Sequence, residues 1–206
     1  MNKQKLPNAI ETLPSDYKLG HTVDMQTNKK KAFLINLIAV LIGVAVAVPM
    51  IFIVPIGRLF DMGDLETKAI LLYILRFAVL LVGSFVYIIL HELTHALFMK
   101  IFGAKKIKFG FTGLFAYAGS KHEYFRKWPY IIIALAPVVI FGIIFAIICP
   151  FIYETSWFWV VYFWQIQNLS GAAGDIYVSI MFSKAPKDAY IKDEGTMMQL
   201  YVPKSK

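Results

Sequence analysis

The chain has 206 residues, of which 58% are hydrophobic and 17% charged, with a formal net charge of +8. That much apolar surface, gathered in long blocks, excludes an ordinary soluble domain and points to a bilayer as the solvent. The basic residues flank apolar segments instead of forming a stripe with interleaved aromatics, which excludes a nucleic-acid partner; the single cysteine, Cys149, excludes a disulfide framework and a Cys-ligated zinc.

In chain order, residues 1–31 are polar, with no apolar signal-peptide core, and read as a cytoplasmic N-terminal tail. Four segments then reach the roughly 20 apolar residues that cross about 30 Å of hydrocarbon: 32–54, 69–102, 128–151 and 157–180. They define a membrane domain over 32–182, followed by a cytoplasmic C-terminal tail at 183–206. Arg76 lies early enough in the second segment to snorkel outward. Lys29, Lys30 and Lys31 precede the first segment, and Lys100, Lys105, Lys106, Lys108, Lys121, Arg126 and Lys127 follow the second. The bias of Lys and Arg toward the inner face gives four crossings with both termini cytoplasmic. Between the second and third segments, "KIKFGF" alternates and "GLFAYAG" follows a Thr-Gly turn signal at Thr112–Gly113, so a short hairpin is expected. The predicted fold is an all-α polytopic membrane protein of about four helices with one short cytoplasmic β-hairpin.

The second segment ends in "HELTHALF". His91 and His95, four apart, share one helix face and can grip one zinc, while Glu92 can hold and deprotonate the attacking water. Ionisable residues cost about 2.5–3.5 kcal/mol each at the centre of a membrane helix, so three on one turn call for a compensating partner, and a metal is the simplest. A metzincin continuation is excluded, because Phe98 and Ile101 stand where Gly and His are needed. For the third ligand, His122 and Glu123 sit in a basic loop where solvation explains them, and Glu154 falls on the opposite face. Asp175 remains, near the cytoplasmic end of the fourth segment in "QNLSGAAGDIYVSI". Gly171 and Gly174 loosen the backbone around it. Asn168, seven positions earlier on the same helical face, could bond a substrate backbone or a developing oxyanion. The bland alternative is a small-residue packing face with a hydrogen-bonded Asp and Asn.

Together, the HExxH at the cytoplasmic end of a membrane helix, the Gly-rich hairpin, the Ala-Pro helix at "ALAPVV" and the Asn-to-Asp helix resemble the site-2 protease class of intramembrane metalloproteases. The span from about Gly83 to Val202, with its "KAPKDAYIKDEGTMMQLYVPK" tail, is more closely similar to a bacterial membrane family of zincin peptidases. The resemblance implies His91, His95 and Asp175 as ligands of Zn2+, Glu92 as general base, and Asn168 as the counterpart of the site-2 protease asparagine. It implies a multi-pass protein of the bacterial plasma membrane whose partners are the lipid bilayer and a peptide or membrane-protein substrate. Where site-2 proteases carry prolines and a Leu-Asp-Gly, this chain has "GAAGDIY". A substrate strand is expected to add beside Ile107–Phe111. The rival reading is a non-catalytic membrane protein whose metal or polar cluster is structural and which binds another membrane protein.

Overall fold

The structure is a computed structural model and describes residues 7–63, 67–111 and 116–204. In chain order the elements are β1 (Ala9–Ile10), β2 (Tyr17–Asp24), α1 (Lys29–Ile53), α2 (Thr67–Ile101), β3 (Lys108–Phe111), β4 (Ala116–Arg126), α3 (Lys127–Ile152), α4 (Phe158–Gly171), α5 (Ala173–Ser183), β5 (Tyr190–Asp193) and β6 (Met197–Pro203). A 3-10 turn at Ile56–Phe60 lies between α1 and α2.

The fold is mixed α/β, not all-α. A six-stranded antiparallel sheet runs β1-β4-β5-β6-β2, with β3 also paired to β4. The expected hairpin is present as β3 and β4, with Phe109 opposite Ala118; its Thr112–Gly113 turn lies outside the described residues. The other four strands come from stretches read as polar tails. β2 pairs with β6 from Tyr17↔Pro203 to Asp24↔Met197, so the two ends of the chain hydrogen-bond to each other. Backbone groups in a polar segment still need partners, and a ladder supplies them without an apolar run to announce it.

Among the described residues, three helices, α1, α2 and α3, are long and apolar enough to cross a membrane. The fourth expected span is not one helix. It breaks at Ala172, whose N–H folds back on the Asn168 and Ser170 carbonyls, and a new helix begins at Ala173. At 14 and 11 residues, α4 and α5 are each too short to span alone. The break also removes the seven-residue face argument, because Asn168 and Asp175 lie on different helices.

The chain divides into two compact regions. One takes the chain up to Ile35, Glu92–Ala136 and everything from Gly174 onward. Its core packs Val23, Phe125 and Ile191 of the sheet against Met99, Tyr130, Ile133, Val178 and Phe182 of the helices. The other region, Asn36–His91 with Pro137–Ala173, is helical. It clusters Val54, Phe158, Trp159 and Tyr162. Within it Arg76 is buried, and its guanidinium donates to the carbonyls of Arg58, Leu59 and Asp61 at 3.3, 2.7 and 3.0 Å. The arginine expected to snorkel instead fastens the 3-10 turn to α2, satisfying carbonyls that the turn leaves open.

Candidate metal centre

His91, Glu92 and His95 project from consecutive positions and the next turn of one continuous helix, α2. One ligand atom from each lies within 4.8 Å of the others. The spacing that suggested a shared face therefore brings the donors together, and the neighbours of each side chain say how it is aimed.

Glu92 is held by the sheet: the N–H of Ala118 in β4 donates to its Oε2 at 2.7 Å. Because that N–H turns away from β3, the Phe109–Ala118 pair is of the non-hydrogen-bonded kind, and the edge of β4 that faces Glu92 is the one opposite β3.

His95 is buried, and its Nδ1 lies 2.9 Å from the carbonyl oxygen of Ile133 in α3. A carbonyl only accepts, so Nδ1 carries a proton, and Nε2 is the nitrogen a metal would take. The availability of that carbonyl has a cause in the sequence. Four residues on stands Pro137, inside the helix. Proline has no N–H, so the helical bond to the Ile133 carbonyl cannot form, and the histidine takes its place.

Asp175 lies in the first turn of α5. Its Oδ2 stands 3.5 Å from His95 Nε2. That separation is compatible with an ion pair and with two ligands of one ion, and a donor set of two imidazoles and a carboxylate suits zinc.

His91 has a side-chain partner. Its Nδ1 is 3.0 Å from the hydroxyl of Tyr87, one turn earlier, and that hydroxyl donates to Asn168 Oδ1 at 2.8 Å. Asn168 is fully buried, and its Nδ2 donates to the Val138 carbonyl at 3.1 Å. The amide expected to face substrate is thus engaged within the helical region.

Sequence reasoning had not singled out Tyr87, Ile133 or Asp193, and it noted Pro137 only within "ALAPVV". Asp193 in β5 is buried, accepting from the Tyr130 hydroxyl at 3.0 Å and the Gly195 N–H at 2.7 Å. Burial pushes its carboxyl up to about 7, against the pull of those two hydrogen bonds. Tyr87 could have been found, since it lies four residues before His91 on the same helix face.

A protein-family profile described as "Putative zincin peptidase" matches residues 84–190, the stretch that contains His91, Glu92, His95 and Asp175. The chain belongs to that family. An uncharacterized 24.7 kDa protein of Pyrococcus woesei is 37% identical over 123 residues, 54% of this chain and 50% of that protein. The chain thus spans about half the length of the curated relative it matches. No solved structure matches the chain.

Proposed function

We propose that this zincin-family member is a membrane-embedded zinc metallopeptidase that hydrolyses peptide bonds near the cytoplasmic face. The observation that carries the reading is the cluster of His91, Glu92 and His95 on a helix long enough to cross a bilayer, in a chain of a peptidase family. Asp175, 3.5 Å from His95, is the third ligand in this reading.

The orientation has support in the strand pairing. β1 and β2 precede α1, β3 and β4 join α2 to α3, and β5 and β6 follow α5; one sheet holds all six strands. Strands of one sheet lie on one side of a membrane, which supports placing β1–β2 and β5–β6 on the same side as the HExxH end of α2. The lysines there favour the cytoplasm. Large apolar side chains on α1, α2 and α3, among them Phe33, Phe52, Phe85, Leu97 and Phe151, are exposed, as lipid contact requires.

His91, His95 and Asp175 would hold the zinc, which would supply Lewis acidity toward a water and a carbonyl. Glu92 then accepts the proton of the attacking water and returns it to the departing amine nitrogen. The Ala118 N–H keeps its carboxylate at one orientation while it does so. An extended substrate would lie along the strand edge nearest this carboxylate. That edge belongs to β4 at Ala118, across the hairpin from the outer edge of β3.

Glu92→Gln tests the chemistry. The account expects zinc content to be retained and turnover of a membrane-protein substrate to fall by about 100- to 10,000-fold. Full activity in that variant would remove Glu92 from the reaction.

A further inference from the structure

We infer that Tyr87 and Asn168 form a hydrogen-bond relay of fixed polarity that sets the tautomer of His91 and turns its Nε2 lone pair toward the metal. The inference rests on the zinc reading above. It assigns Asn168 a positioning role exerted through Tyr87, with no contact to substrate.

The polarity follows step by step from one backbone group. The Val138 carbonyl only accepts, so the Asn168 amide must present its NH2 there, at 3.1 Å. Its Oδ1 therefore faces Tyr87, at 2.8 Å. An amide oxygen only accepts as well, so the Tyr87 hydroxyl gives its single proton to Asn168. Toward His91, 3.0 Å away, the same oxygen can then only accept. The proton on that contact must come from His91 Nδ1, which leaves the lone pair on Nε2.

Burial makes the order hard to reverse. Asn168 has no exposed surface and Tyr87 little; flipping the amide would set its oxygen against the Val138 oxygen in a site with little water to compensate. Space is also restricted, because a Cβ at Gly142 would lie 3.4 Å from Asn168 Nδ2. The tyrosine ring is further fixed by edge contacts with His91 and Phe141 at centroid separations of 5.8 and 5.4 Å. Partners of this kind orient a metal-binding histidine and raise its basicity, and losing one typically costs 10- to 100-fold in metal affinity.

Two measurements test the relay. In metal-free native protein labelled with 15N-histidine, His91 should show the Nδ1–H tautomer, and Tyr87→Phe should release it to a mixture. An Nε2–H tautomer in the native chain would overturn the relay, whether or not zinc binds. In zinc titrations, Tyr87→Phe and Asn168→Ala should each weaken binding by about 10- to 100-fold. Combined, they should weaken it no further than Tyr87→Phe alone. Unchanged affinity in Tyr87→Phe, or losses that add in the double variant, would overturn the relay. Failure of the native chain to bind zinc at all would instead remove the metallopeptidase reading.

Discussion

Glu92 and His95, in the sheet-bearing region, and His91, in the helical region, are held by different means. In the first, main-chain groups take part: the Ala118 N–H holds Glu92 and the Ile133 carbonyl holds His95, beside the Asp175 carboxylate. In the second, His91 leans on two side chains in series. A backbone partner is set by secondary structure, so substitution at its own position leaves it in place. A side-chain relay can be cut by one substitution. The histidines of a single helical turn should therefore differ in their sensitivity to mutation, with His95 answering to backbone changes and His91 to side-chain changes.

The largest expected effect comes from overfilling either region. Gly195 has φ +95°, and a Cβ there would meet the Tyr117 ring at 2.1 Å. Gly83 is as tight: a Cβ on it would meet the Trp164 ring at 2.1 Å. Gly195→Ala and Gly83→Ala should each cost about 1–3 kcal/mol of stability, read as a lowered thermal midpoint in detergent. Gly195→Ala should cost more, because it adds a left-handed backbone to the clash. Equal midpoints for native and variants would show that these contacts are looser than described.

Pro137→Ala sharpens the comparison directly. It returns an N–H to compete for the Ile133 carbonyl, so zinc affinity should fall by about tenfold. The thermal midpoint should hold or rise, because α3 gains a hydrogen bond. A variant with unchanged affinity would mean that His95 does not depend on the proline gap.

The smallest effect is a pH dependence in the sheet. The folded-state pKa of Asp193 is raised to about 7 from an ordinary 3.8, so the folded chain holds a proton that the unfolded chain has released between those values. Stability from this group is greatest at low pH and declines as pH climbs through that window. Between pH 6 and pH 7.5 the loss should be on the order of 1 kcal/mol, and Asp193→Asn should flatten it. A slope that persists in Asp193→Asn would assign it to another group.

The helices α1, α2 and α3 were legible because a run of 25 or more mostly apolar residues has few other solutions. The motif on α2 was legible because helical spacing alone sets His91 beside His95. Asp175 was expected from its depth and its surrounding glycines; the fourth segment proved to be two helices, and Asp175 lies 3.5 Å from His95. The sheet was not legible. Its longest pairing joins Tyr17–Asp24 to Met197–Pro203, and β2 buries only Val23, so no apolar alternation marks it. The hairpin β3–β4 was visible because its partners are close in sequence and its residues alternate; β5 and β6 are also close in sequence, and the remaining pairings join distant parts of the chain. The relay escaped for a related reason. Tyr87 is one turn from His91, but its link to Asn168 crosses 81 positions that only the fold brings together.

Zinc content per chain, measured in detergent-purified protein for the native sequence, His91→Ala and Asp175→Ala, tests the central claim most directly. The account predicts about one zinc in the native chain and a fall well below that in both variants, as a three-ligand site requires. A native chain without zinc, purified free of chelators, or an Asp175→Ala variant that keeps its full zinc content, would contradict it.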